Sequence, residues 1–287
     1  HPVKRAMYKA LPFTRLPEKH LGIEDGEITR IGGYLTKRNM AALCFVLWPA
    51  LLSLFVLRTR LEAIVAAALA IAAAAITVVL ATHETSTLAL LAATAVLALA
   101  WLAPRLTLGA VVAGWVAATL LIVPAANLAY GKELHLARWM PETARQRIIL
   151  WGYTAEQVPG RLLTGVGVAS TKILDARRGD LAKPPGFSYA RRTGPHAHNI
   201  YLQTWYELGA IGALLLLALG LALLAAVPAL PPLAQPFVLA SFTSAAVTGA
   251  FTWSLWQTWF MAAFAVSLIL NLLAVELIRR KSGARQR

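Results

Sequence analysis

Pro195-His196-Ala197-His198-Asn199-Ile200-Tyr201-Leu202-Gln203-Thr204-Trp205-Tyr206-Glu207-Leu208-Gly209-Ala210-Ile211-Gly212 leads a polar, basic loop into an apolar run that continues to Val227. A junction of that kind marks a chain entering a membrane. A titratable His placed there can meet a membrane-held lipid and a water-soluble group together. On a helix continuous from His198, Gly209 lies about 20° from it, Trp205 about 20° and Gly212 about 40°. The expectation is one shared face, with Gly209 and Gly212 serving helix packing by letting a neighbouring helix approach closely. Glu207 falls on the opposite face. A lone His at an interface is most often an amphipathic anchor, so the surrounding chain must carry any sharper reading.

Outward from this junction, apolar runs recur in both directions. The 287 residues are 58% hydrophobic, with a mean hydropathy of +0.62. That excludes the soluble globular classes. The runs do not alternate apolar with polar, as the strands of a membrane barrel would. The fold class is therefore an all-α polytopic membrane protein. A single cysteine, Cys44, lies inside an apolar run. It permits no intramolecular disulfide and suggests no thiolate metal site. The chain opens at His1, without Met or a signal-like n-region. We expect the C-terminal part of something longer, or a trimmed chain.

About 20 apolar residues cross a bilayer, and on that measure the expected spans number about seven. They are Met40–Leu57, Ala63–Thr82, Leu88–Ala103, Leu106–Tyr130, Gly209–Val227, Phe237–Trp253 and Trp256–Ile278. The organisation reads as an outer basic segment (1–39), four transmembrane helices (40–130), a large outer loop with short amphipathic helices (131–200), three transmembrane helices (201–278) and a basic tail (279–287). The tail is the most basic short segment, so it is cytoplasmic. Counting back puts Arg58, Arg60 and Arg105 inside and residues 1–39, His83-Glu84 and the 131–200 loop on the periplasmic face. That loop holds eleven Lys/Arg against five Asp/Glu, an excess that suits an anionic ligand at the bilayer surface.

Within the loop, Pro141-Glu142 opens a helix and Pro159-Gly160 ends it. Arg147 and Trp151, four apart, share a face, and Trp151 is expected at the headgroup level. Gly165-Val166-Gly167 is a tight segment able to bring backbone close to a ligand. It lacks the strand and the spacing of a dinucleotide site. Arg191 and Arg192, near His198 in sequence, are candidate phosphate contacts, although basic flaps are more often solvated. Trp101, Trp115, Trp253, Trp256 and Trp259 are expected at interfaces. Gln257 and Asn271 are expected to form helix–helix hydrogen bonds.

His198-Asn199, nine residues, Gly209, two residues and Gly212 together resemble the signature of the bacterial O-antigen ligase and polymerase superfamily. Arg147-Ile148-Ile149-Leu150-Trp151 and Gly165-Val166-Gly167-Val168 are similar to the family's Arg-x-x-x-Trp helix and Gly-Val-Gly segment. Arg30-Ile31-Gly32-Gly33-Tyr34 through Asn39 is similar to a third, looser element. The chain departs from the family twice. It shows seven spans where members usually have about a dozen, and around Thr85-Ser86-Thr87 it lacks the Arg that many members carry.

The resemblance implies glycan transfer from an undecaprenyl-diphosphate carrier to an acceptor sugar hydroxyl, at the periplasmic face of the bacterial inner membrane. The acceptor is lipid A–core in a ligase, or a growing polysaccharide in a polymerase. His198 would act as the catalytic base, and Arg147 and Arg30 would hold the diphosphate. Asn199, Trp151, Gly165, Gly167, Arg191 and Arg192 would support them. Attack on the anomeric carbon expels a diphosphate whose charge guanidinium groups stabilise. No cofactor, no metal and no nucleic-acid partner is expected, and direct displacement inverts the anomeric centre. The alternative class is a transporter or flippase for an anionic lipid. That class needs ionisable residues near mid-membrane, and these spans have almost none.

Overall fold

The structure is a computed structural model, and it describes residues 10, 21–24, 27–31, 33–81, 83–177, 191–251 and 253–284. Most of these are helical. A short antiparallel hairpin, β1 (Leu21–Glu24) and β2 (Glu27–Ile31), pairs Gly22 with Arg30. The hairpin adds two strands to the all-α fold expected from the sequence. The β-branched Ile23, Ile28, Thr29 and Ile31 favour the extended backbone. Arg30 lies on β2, and its side chain is outside the described residues.

Each apolar run falls on helix. The helices are α1 (Gly33–Leu57), α2 (Arg60–Leu80), α3 (Glu84–Leu102), α4 (Pro104–Leu120), α5 (Ile122–Gly131), α6 (Glu142–Gln157), α7 (Thr171–Arg177), α8 (Ile200–Ala225), α9 (Gln235–Phe251) and α10 (Thr258–Ala284). Five of them, α1, α2, α3, α8 and α10, are long and apolar enough to cross a membrane, and the α4–α5 pair makes up to six. α9, with 17 residues, is shorter than each of those five. The chain is a multi-pass membrane protein with five to six such spans among the described residues. The expected Leu106–Tyr130 span is two helices bent by 66°. Pro124 sits in the first turn of α5, where it has no N–H to return to Leu120, so the ladder breaks there.

The membrane helices pack through two large apolar clusters. Trp48, Leu51, Leu52, Phe237 and Ala274 centre one, and Phe45, Trp115, Tyr201, Leu239 and Phe260 the other. Trp115 is therefore core, not interface: its ring meets Tyr201 edge-on at 5.3 Å and its Nε1–H donates to the Leu217 carbonyl. Leu61, Leu69, Ile76, Leu215 and Leu272 face outward, as apolar side chains do where the surroundings are lipid.

Without water, each broken backbone bond needs an internal partner. Pro49 inside α1 leaves the Phe45 carbonyl without its helical donor, and Ser267 Oγ of α10 donates to it at 2.9 Å. Asn271 Nδ2 donates to Ser241 Oγ across α10 and α9 at 3.1 Å, a helix–helix bond as expected. Gln257 instead accepts from Trp259 two residues away.

Candidate functional site

The site forms where α6, the start of α3, the start of α1 and the entry to α8 come together. His198 is not on α8. Asn199 is the helix N-cap, in extended conformation, and its side-chain oxygen accepts from the Leu202 amide at 2.9 Å. A side-chain acceptor at this position satisfies an orphan amide of the first turn and fixes the register of the helix. His198, one residue earlier, has a left-handed backbone with φ 53°. Its N–H donates to His196 Nδ1 at 3.3 Å, and the two imidazoles lie 4.0 Å apart between centroids. This donation fixes His196 as the tautomer carrying its proton on Nε2.

Trp151 holds this turn from α6. Its Nε1–H donates to the Ala197 carbonyl at 2.7 Å, and it is half-buried against Ala126, Ala155, Ala197 and Leu202. It does not project outward as a headgroup anchor, which corrects that expectation. The physical reason is the indole N–H, which finds a buried carbonyl beside the His turn. Arg147, one turn back on the same face, is thereby carried to His198. Its guanidinium is half-buried, and burial lowers its pKa while the nearby Glu84 carboxylate raises it. Thr143 Oγ1 donates to Glu84 Oε2 at 2.8 Å, tying the first turn of α6 to the first turn of α3.

The electrostatics keep the imidazoles neutral. Burial pushes His198 down to about 3, and His196, Arg147 and Lys37 push the same way. His196 is held down at about 4 by burial. His83, just ahead of α3, is also lowered to about 4, first by burial and then by Lys37 and Arg147. One pair of cations, Lys37 and Arg147, thus acts on both His83 and His198. Sequence reading overlooked Lys37 and His83 because one sits in a loosely patterned basic segment and the other in a two-residue turn.

The glycines do something other than admit a neighbouring helix. α8 is broken at Gly209, with φ 63° and ψ −158°. A Cβ there would lie 2.4 Å from the Leu163 carbonyl group. The Leu162–Gly167 loop runs alongside the break. The Val166 and Gly167 amides donate to the Tyr206 and Glu207 carbonyls at 3.0 and 2.9 Å, and the Ala210 amide to the Leu162 carbonyl at 2.7 Å. Gly165, with φ 67°, presses so closely that a Cβ would meet the Glu207 carbonyl carbon at 2.3 Å. At Gly212 a Cβ would strike Leu208 of the same helix at 2.1 Å. The expectation of a continuous helix with a glycine face is therefore corrected: Gly165 and Gly209 let loop and broken helix exchange backbone hydrogen bonds.

Glu207 locks this inset. It is 1% exposed and accepts from the Ala169 and Thr171 amides at 3.1 and 3.2 Å, from Gln203 Nε2 at 3.2 Å, and from Thr171 Oγ1 and Trp256 Nε1. Arg191 and Arg192 are committed to carboxylates. Arg191 pairs with Glu156 and lies over the Tyr130 ring at 5.0 Å. Arg192 Nε donates to Asp175 Oδ1 at 2.8 Å, beside the Thr193 hydroxyl and the Gly194 amide. Their charges fasten the strap that delivers His198.

A family model described as O-antigen ligase matches residues 45–217. None of the curated proteins and none of the solved structures matches. The matched span contains His83, Arg147, the Gly165–Gly167 loop, His198 and the break at Gly209. Lys37 and Arg30 precede it.

Proposed function

The chain belongs to the O-antigen ligase family, a membrane glycosyltransferase of the ligase and polymerase type, and on that premise we propose that it transfers a glycan from an undecaprenyl-diphosphate carrier to a sugar hydroxyl of lipid A–core, on the periplasmic face of the inner membrane. The observation that carries this reading is the convergence of Arg147 and Lys37 on His198 at the entry to a membrane helix. A lipid-linked donor brings its anion to that depth and its glycan to the aqueous side.

In this reading the acceptor hydroxyl gives its proton to His198 as its oxygen bonds to the anomeric carbon. The bond from that carbon to the diphosphate oxygen breaks, and the electron pair leaves with the lipid diphosphate. Arg147 receives the developing charge. Attack from the side opposite the leaving group inverts the anomeric centre. The diphosphate is a good leaving group beside two cations, so the step is written without a metal. Arg30 is proposed as a further diphosphate contact on its sequence alone.

With its pKa pushed down to about 3, His198 alone is a feeble base. A bound diphosphate reverses part of that, since a unit charge about 4 Å away is worth roughly 4 kcal/mol at an effective dielectric of 20, or about three pKa units. The pH dependence follows. His198 stays neutral in the free enzyme far below the ordinary histidine pKa of about 6.5. The acid limb of kcat/KM is therefore expected below pH 5, and that of kcat, which reports the donor complex, at higher pH. Rates measured from pH 4.5 to 8.5 check this. A kcat/KM limb centred near 6.5 would contradict the buried, cation-flanked His.

The reading is tested by expressing the protein in a ligase-deficient bacterium. Restored lipopolysaccharide ladders support ligation onto lipid A–core. Longer chains left on the lipid carrier, with no ladder, show a polymerase instead. No effect on either glycan counts against the carrier-linked donor.

A further inference from the structure

His83 has no part in the step just described, yet it is 5% exposed and held in one orientation. Its Nδ1 is 2.7 Å from Ser86 Oγ, and its ring lies 5.6 Å from that of Trp253. With the Ser86 hydroxyl donating to Nδ1, the imidazole carries its proton on Nε2, which has no hydrogen-bond partner among the described residues. It stands at the N-terminus of the 19-residue α3, whose first turn has no side-chain cap from residue 83. The amides of that turn favour negative charge. Thr143 and Glu84 bind α6 to this same turn, so Arg147 and His83 belong to one wall. Lys37, exposed on the first turns of α1, acts with Arg147 on both His83 and His198. Glu84 is the carboxylate acting on Arg147 here, and its Oε2 is engaged by Thr143.

We infer that His83 and Lys37 complete the anion cradle with Arg147: His83 Nε2–H donates to a phosphate oxygen of the donor diphosphate, and the Lys37 ammonium balances its charge. The inference rests on the lipid-diphosphate reading above. The charge count fits it. A diphosphate esterified at both ends carries two negative charges, which Lys37 and Arg147 match, and a neutral imidazole adds a directed donor without a third cation. A His fixed by Ser86 loses little freedom on binding, whereas Lys37, exposed and flexible, meets the anion as a point charge.

The test is binding of inorganic pyrophosphate to the purified full-length protein in nanodiscs, by calorimetry, alongside donor and acceptor KM values. Two substitutions separate binding from packing. His83→Asn keeps a polar atom near the Nδ1 position to pair with Ser86 but removes the outward donor. His83→Gln places an amide N–H near the Nε2 position. Wild type is expected to bind pyrophosphate. His83→Asn and Lys37→Gln should each weaken it by about tenfold, the scale of a hydrogen bond to a charged group. They should raise donor KM while leaving acceptor KM unchanged. His83→Gln and Lys37→Arg should recover most of the affinity, and Lys172→Gln should change nothing. Wild-type binding matched by His83→Asn and Lys37→Gln overturns this inference and leaves the lipid-diphosphate reading standing. Equal losses in His83→Asn and His83→Gln, with a lowered unfolding temperature, also overturn it, by showing a packing role. A wild-type protein that does not bind pyrophosphate removes the diphosphate reading itself.

Discussion

Replacing His198 by alanine is expected to lower the transfer rate by roughly 10²- to 10⁴-fold, the range that a positioned general base supplies. Removal of Arg147 should cost about 10²- to 10³-fold, as loss of a charge-stabilising donor does. His198→Ala should leave donor KM nearly unchanged, because the imidazole acts on the acceptor proton. Arg147→Ala should raise donor KM and lower kcat together, because the guanidinium meets the diphosphate before and during departure. The double variant should be little slower than the worse single one, since the two groups act on one step. Arg147→Lys is expected to recover only part of the rate, because an ammonium lacks the planar fork. The measurement is single-turnover transfer with purified protein and a lipid-linked donor. A His198→Ala enzyme with more than a tenth of wild-type rate would falsify the base assignment. His198 would then be a hinge residue, held in its left-handed turn for the sake of the Asn199 cap.

The second large effect is expected at Gly209, far from any proton transfer. Its φ of 63° with ψ of −158° is a region open essentially to glycine, with a cost of order 1–3 kcal/mol for another residue. Gly209→Ala adds a Cβ 2.4 Å from the Leu163 backbone, which main-chain atoms cannot yield. Loop and broken helix should part, releasing the Ala210 and Ile211 amides from the Leu162 and Leu163 carbonyls. Glu207 would then be left inside with fewer donors, and burying a carboxylate without them is costly. We expect a fall in unfolding temperature of several degrees and loss of transfer comparable to that of His198→Ala. Gly109→Ala on α4, where a Cβ meets nothing within 4 Å, should be silent in both assays. If Gly209→Ala unfolds and transfers like wild type, the loop is not a structural partner of the break.

The family was legible in the chain because its marks are local. A His-Asn pair before an apolar run, an Arg four residues from a Trp, and glycines at fixed spacing survive as text. Arg147 stands four residues before Trp151, and the Trp151 bond to Ala197 supplies the physical reason for that spacing. What the glycines do was not legible. Spacing reports a helical face only if the helix is unbroken, and the break at Gly209 depends on a loop more than forty residues earlier in the chain. Lys37 and His83 escaped notice for a related reason. A single Lys and a single His carry no pattern, and only packing brings them to Arg147.

Hydropathy and charge by themselves determined that this chain crosses a membrane several times, that its elements are helical, and that its polar residues gather in one large loop. Those properties sum over many residues, and no single contact can overturn them. Only the tertiary structure decided where α8 begins and breaks, which cations face His198 and His83, and that Arg191 and Arg192 are bound to Glu156 and Asp175. These depend on single atoms meeting across distant stretches, held in place where no water can substitute for a missing partner.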